Sequence, residues 1–422
     1  MAEPLTLSDA DRDMLAGGAG PAAAWCLRMV IALARVRGAG RLLSVDSAHI
    51  DGCLYHGRAG LDFAERLVEL GGRVAVPTTL NVGSLDLRHP ELVRADPETT
   101  AGARRLMDAY IALGCTPTWT CAPYQLTHRP SFGRHVAWAE SNAIVFANSV
   151  LGARTDRYGD FLDIAAAITG RVPDAGLHRD ANRAGTVRLD LSGVPRALLA
   201  EDAAWGVLGH LAGRHAGTGV PVLTGAGEGM TEDQLKAFGA AAASSGGVGL
   251  FHVVGVTPEA PTLAAVGGGN LPAVPVSAAD IRAARDRLST TRGATLDAVS
   301  LGTPHFSLAE FARLAGLLAD GVPFDPRVRV YVTTSRAVLA EAERSGYAGP
   351  VRAAGGRIVV DTCTYITPIL DSAVRMVMTN SGKWAWYAPG NIGVDVVLGS
   401  LAECVRSARA GAVWRDEVLW AD

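Results

Sequence analysis

The sequence predicts an α/β fold with mostly parallel sheets flanked by helices, divided into two or three subdomains. Three observations carry this. Short runs rich in Val, Ile and Leu recur along the chain and are continuous rather than alternating, as in strands buried on both faces. Helical patterns fall between several of them. Many of the runs end in polar clusters, where open α/β sheets bind ligands.

The chain opens with helices. Ser8 is placed to cap a short one, with Asp11 at the capping-box position, and Pro21 fits the first turn of a second that stops near Gly38. Strands are expected at Arg41–Asp46, Arg73–Thr79, Val220–Thr224, Gly249–Val256, Ala298–Gly302, Arg329–Thr334, Ile358–Asp361 and Arg375–Met378. Helices are expected at Leu61–Leu70, Thr231–Ala243, Ala278–Leu288, Leu308–Leu318 and Ser335–Glu343. A polar run near Val172–Asn182 marks a break, and Thr257–Val276 reads as a long loop. The expected organisation is an N-terminal helical segment at 1–40, a first α/β region at 41–175, and further α/β regions at 176–422.

Composition narrows the function. The 422 residues are 49% hydrophobic and 19% charged, which suits a large core and not a disordered chain. The net charge is −3 without a Lys/Arg block, which argues against a nucleic-acid partner. The most apolar stretch, Ala22–Val36, is broken by Arg28 and Arg35 and falls short of the roughly 18 residues of a membrane span. The acidic, polar start is unlike a signal peptide, so a cytoplasmic protein is expected. Six cysteines in such a chain are not a disulfide framework.

The polar strand ends are the candidate site. The first strand leads into His49 and Asp51, and the second into Thr78, Thr79 and Asn81. Later ends carry Thr224–Gly229, Gly302–His305, Asp361–Cys363 and Thr379–Lys383. Their repetition points to one shared polar site, although each alone also reads as a capped turn. The Gly225–Gly229 stretch lacks the phosphate-loop spacing and reads better as a turn before a helix. Ser381 and Lys383 offer a hydroxyl and a cation around a glycine, which suits a carboxylate or a phosphate and equally a solvated turn. Cys26 and Cys404 lie on apolar helical patterns and read as core. Cys115 and Cys121 have no zinc-type spacing.

Several long passages together resemble the aconitase X family. They are AHIDGCLYHGRAGLDFAERL (48–67), VPTTLNVGSLD (76–86), TCAPYQL (120–126) and HVAWAESNAIVFANSVLGARTDRYGD (135–160). HVVGVTPEAPTL (252–263), LGTPHFSLAE (301–310), VDTC (360–363) and TNSGKWAWYAPG (379–390) continue it. The resemblance implies an aconitase-like catalytic unit, a carbon–oxygen hydro-lyase that dehydrates a small hydroxy acid. It implies an iron–sulfur cluster or a mononuclear iron as Lewis acid. It also implies a separate small swivel-domain subunit, because that domain has no counterpart in these residues.

Carried over by position, the resemblance makes Cys121 and Cys363 metal ligands. The third position departs from the family pattern LGCPH, because Thr303 stands where the cysteine is expected. A hydroxyl is a poor ligand for an iron–sulfur centre. Three alternatives follow: another thiol such as Cys53 or Cys115, an iron centre completed by oxygen ligands such as Thr303, or altered metal use.

Dehydration needs a polarised leaving hydroxyl, a departing α-proton and a held carboxylate. Lys383 and Ser381 are the expected carboxylate grip, and His49 and Asp51 are candidates for proton transfer. Glu140, Ser141, Asn142, Asn148, Arg154 and Thr155 form the densest polar motif and are expected in the substrate shell with Thr78, Thr79 and Asn81. Their bland reading is capping and surface pairing. Trp384 and Trp386 read either as walls for a pyrrolidine ring or as core. The favoured reaction is cis-3-hydroxy-L-proline to Δ1-pyrroline-2-carboxylate. The alternatives are another hydroxy acid such as phosphomevalonate, or a diverged binding partner without catalysis.

Overall fold

The structure is a computed structural model describing residues 4–420 apart from 228, 269–270 and 294. Glu228, part of the glycine-rich stretch, therefore lies outside the described residues. The chain forms two compact units, Met1–Leu85 with Ala95–Ala184, and Asp86–Arg94 with Gly185–Asp422.

The first unit begins with the helix Asp9–Ala16, capped by the Ser8/Asp11 capping box, and the helix Pro21–Val36. Its three-stranded sheet is parallel, in the order Thr78–Leu80, Ala48–Ile50, Ala137–Trp138. The expected first strand keeps only Leu42–Ser44, which pairs antiparallel with Arg171–Pro173. The chain then changes sheets: Val45 N–H donates to Gly170 O and Asp46 N–H to His135 O. His49 therefore lies inside a second strand, not beyond the first. The strand expected at Arg73–Thr79 survives only at its end, because Pro77 has no N–H to donate.

The second unit holds two parallel sheets. One has four strands in the order His252–Val253, Pro221–Thr224, Val187–Asp190, Ala273–Pro275. The other has five in the order Arg357–Val360, Arg329–Thr334, Ala298–Phe306, Met376–Thr379, Asp395–Leu398. Its core packs Val299, Leu301, Val330, Val332 and Ile358 against Phe311, Leu314 and Leu339 of the helices Leu308–Leu317 and Arg336–Arg344. The chain runs from the central strand Ala298–Phe306 to one edge, then returns to its other side at Met376–Thr379. That reversal is a topological switch point, where such sheets open a crevice at their carboxyl ends.

Candidate active site

The second unit places its predicted residues at that switch point. The strand predicted to end at Gly302 continues to Phe306, with a register shift between Leu301 and Phe306. Gly302, at φ 89°, makes the irregularity possible: an added Cβ would meet Thr333 O at 2.2 Å. Thr303 and His305 thus sit in a bulged strand rather than in a loop beyond it. Ser381 is the N-cap of the helix Gly382–Ile392, accepting from Trp384 N–H at 3.0 Å, while its own hydroxyl donates to Thr303 O. A cavity of about 20 Å³ lies between these ends, lined by Lys236, Thr303, Glu310, Asn380, Ser381 and Gly382. That is room for about one water. A larger cleft of about 840 Å³ in the first unit, around Arg41, Arg171 and Arg179, is lined by none of the predicted residues.

Cys363 follows the edge strand Arg357–Val360, which Arg329–Thr334 separates from Ala298–Phe306. Its Sγ lies within 4.8 Å of a ring nitrogen of His305. Both side chains are buried. His305 Nε2 is hydrogen-bonded to Thr362 O at 3.1 Å. Burial pushes the His305 pKa down to about 4, so the imidazole is neutral, the form that ligates metals. A cysteine sulfur beside a neutral imidazole is a donor pair that fits iron or an iron–sulfur centre. His305 stands in the quoted LGTPH passage but was not singled out as a ligand. Its place two residues past Thr303 was the only signal.

In the first unit, Cys121 is buried, and its carbonyl accepts from Asn142 Nδ2 at 2.9 Å. Each of the two predicted ligand cysteines follows, two positions on, a non-glycine residue with positive φ: Trp119 at 45° before Cys121, Asp361 at 66° before Cys363. Such strained residues cluster at functional sites. The alternative thiols are placed differently. Cys53 Sγ is 3.5 Å from both Ile50 O and Asn81 O, and burial pushes its pKa well up. Cys115 is likewise buried with a raised pKa. Both are set up as protonated core thiols rather than thiolates.

His49 is fully buried, with Nδ1 hydrogen-bonded to Thr79 Oγ1 at 2.8 Å. Burial pushes its pKa down to about 3, opposed in part by the Thr120 backbone. Asn81 donates to Asp51, and Thr78 Oγ1 donates to Val76 O at 2.8 Å. Asp163 was missed by sequence reasoning; its carboxylate accepts from the backbone N–H groups of Asp51 and Gly52.

The dense 140–155 motif divides. Glu140 caps the helix Ser141–Ser149, accepting from Ala143 N–H at 2.8 Å, and Ser141 Oγ donates to it. Asn148 and Thr155 bond reciprocally at 3.0 Å, and Thr155 Oγ1 also ties to the Trp138 backbone. Arg154 pairs with Asp180 and donates to His178 O. Asn148, Arg154 and Thr155 thus each carry hydrogen bonds or an ion pair within the first unit. Trp384 is also core: it is fully buried and its indole donates to Thr364 Oγ1 at 3.0 Å. Trp386 is 40% exposed.

Buried polar atoms without a well-aligned hydrogen-bond partner include His49 Nε2, Asn81 Oδ1 and Asn142 Oδ1 in the first unit. In the second they include Thr303 Oγ1 and Asn380 Oδ1. Each such group costs roughly 1–3 kcal/mol.

Comparison with known proteins gives the family. Models of the aconitase X first, second and third domains match residues 4–181, 185–286 and 296–410. A cis-3-hydroxy-L-proline dehydratase of Pseudomonas aeruginosa is 43% identical over 95% of this chain and 69% of its own length. The enzyme of that name from Hypocrea jecorina is 40% identical over 96% of this chain and 69% of its own. A phosphomevalonate dehydratase large subunit of Methanothermobacter thermautotrophicus is 40% identical over 90% of this chain and 93% of its own. The crystal structure of Thermococcus kodakaraensis aconitase X in its holo-form superposes with a TM-score of 0.86 at 34% identity, covering 96% of this chain and all of that one. With all three domains matched in order and the fold shared, the chain belongs to the aconitase X family and is a hydro-lyase of that type.

Proposed function

We propose that this chain dehydrates cis-3-hydroxy-L-proline to Δ1-pyrroline-2-carboxylate, as the catalytic large unit of a two-part cytoplasmic enzyme. The observation that carries this is the His305–Cys363 pair at the switch point, on a chain 43% identical to a dehydratase of that name. In this reading Cys363, His305 and Cys121 hold an iron or iron–sulfur centre, with Thr303 nearby as an oxygen donor. When bound, such a centre supplies a Lewis acid for the leaving hydroxyl. Lys383, in the first turn of the helix Gly382–Ile392, grips the substrate carboxylate, and its charge with the positive end of that helix steadies the charge that develops as the α-proton leaves. Ser381 fixes that helix start against the Thr303 carbonyl. His49, held neutral by burial, and Asp51 move the proton. Thr78, Thr79, Asn81, Glu140, Ser141 and Asn142 shape the substrate shell, with Asn148, Arg154 and Thr155 completing it.

A second reading is phosphomevalonate dehydration. It is favoured by the near-complete coverage of a large subunit of that name. That name also supports a small swivel-domain subunit as partner. The test is anaerobic purification with such a subunit, followed by iron analysis and visible spectroscopy of the parent and of Cys363→Ala. Bound iron with a thiolate charge-transfer band in the parent, lost in the variant, supports the reading. A parent without iron, or a variant that keeps full iron, overturns it.

A further inference from the structure

Asp361 lies between the strand Arg357–Val360 and the Thr362–Cys363 turn, fully buried, with φ 66°. Only glycine adopts that conformation without strain, so something must hold it. The structure shows what does. Arg336 Nε donates to Asp361 Oδ1 at 2.7 Å and Arg336 Nη2 to Oδ2 at 2.6 Å, a bidentate pair. Leu87 N–H adds a third bond to Oδ2 at 3.2 Å. One residue back, Val360 N–H donates to Asp86 Oδ2 at 3.0 Å. One residue on, Thr362 presents its carbonyl to His305 Nε2 and its hydroxyl to Thr367 Oγ1. The next residue is Cys363.

We propose that Asp361, clamped by Arg336, is the positioning residue that aims the Thr362 carbonyl at His305 and the Cys363 thiol at the same point. This rests on the metal reading of His305 and Cys363 above. Neither Arg336 nor Asp361 would touch metal or substrate. The clamp is remote from Cys363 in sequence on the Arg336 side and comes from the cap of the helix Arg336–Arg344, where Ser335 accepts from Val338 N–H. The rigid helix end thus sets the turn. Partners that orient ligands typically change metal affinity about 10–100-fold when removed.

The test is anaerobic titration of the full chain with Co(II), read by the thiolate-to-cobalt charge-transfer band, with circular dichroism reporting the fold. Arg336→Met is expected to weaken cobalt binding about 10–100-fold and alter the band, while Arg336→Lys restores part of the affinity. Asp361→Gly accepts the positive φ without strain but lacks the carboxylate, and is expected to weaken binding as Arg336→Met does. Folded Arg336→Met and Asp361→Gly that bind cobalt with the parent's affinity and spectrum overturn the proposal. If Arg336→Met does not fold, an Arg336→Lys chain with undiminished affinity overturns it equally. A parent chain with no thiolate–cobalt band refutes the metal reading itself, which separates the two failures.

Discussion

The Asp163 carboxylate accepts the backbone N–H of Asp51 at 2.8 Å, and the same oxygen takes Gly52 N–H at 3.0 Å. Its other oxygen takes Ile164 N–H at 2.6 Å. One buried side chain on the helix Leu162–Thr169 therefore shapes the turn after His49. An added Cβ at Gly52 would meet Tyr110 Oη at 2.9 Å, so the turn fits closely against its surroundings.

Asp163→Asn turns an amide nitrogen toward one of these N–H groups. The expected cost is about 1–3 kcal/mol by urea denaturation. Burial pushes the Asp163 pKa from 3.8 to about 6, against the backbone N–H groups of Gly52, Ile164 and Asp51. A raised folded pKa adds stability that is full below pH 3.8 and is lost as pH rises through 6. The gap between parent and variant should therefore widen from pH 7 to pH 4. A gap that is constant or narrows contradicts the assignment.

Lys236 is buried between two carboxylates. Its Nζ is 3.1 Å from Asp233 Oδ1, pairs with Glu310, and donates to His305 O at 3.3 Å. Burial opposes its charge, but Asp233 and Glu310 outweigh that and raise its pKa. Lys236→Met leaves the buried Glu310 carboxylate without its counter-charge and should cost about 3–5 kcal/mol. Adding Glu310→Gln should recover part of the loss, because Asp233 keeps Ser307 and Arg313 as partners. Thermal melts of the parent and the two variants decide it; a double variant no better than Lys236→Met contradicts the pairing.

Thr303 Oγ1 is buried without a hydrogen-bond partner among the described residues. Thr303→Cys removes that unsatisfied hydroxyl and offers a thiol of similar size. Stability should be unchanged or higher by up to about 1 kcal/mol. Iron retained per chain after anaerobic gel filtration should rise, since thiolate suits an iron–sulfur centre better than a hydroxyl. Lower iron in the variant would mean that the threonine oxygen itself is the preferred donor.

His178 bonds to His135 Nδ1 at 3.0 Å and to the Tyr158 hydroxyl. Burial pushes its pKa down to about 3, helped by the charges of His135, Arg183 and Arg154. The unfolded chain takes up a proton that the folded one refuses, so stability falls as pH drops below 6.5. His178→Gln should lower that slope between pH 6 and 4 by up to about 1.4 kcal/mol per pH unit. An unchanged slope in chemical denaturation contradicts it.

The sequence was most legible where burial is one-sided or continuous. Arg329–Thr334 forms the strand expected there, and Ser335 caps the helix that follows. The helix Asp202–Ala216 was invisible because it is buried all round and carries Gly206, Gly209 and Gly213, which read as breakers. They serve close packing instead: a Cβ at Gly209 would meet Phe238 O at 2.1 Å. The strand-end clusters were legible as polar residues in an apolar chain. Their hydrogen-bond partners were not. Asn142 and Asn148 look alike in sequence, and only the structure shows that the first donates to Cys121 O and Tyr124 Oη and the second bonds reciprocally with Thr155. The Arg336–Asp361 clamp joins positions that no local pattern links.

Dehydratase activity rests on one measurement above the others. The chain, purified anaerobically with an aconitase X small subunit and supplied with iron, is incubated with cis-3-hydroxy-L-proline and, separately, with phosphomevalonate. The account predicts accumulation of Δ1-pyrroline-2-carboxylate from the first, abolished by Lys383→Ala and by Cys363→Ala. Turnover of phosphomevalonate alone would move the substrate to the second reading. No turnover of either by an iron-loaded complex would contradict the account.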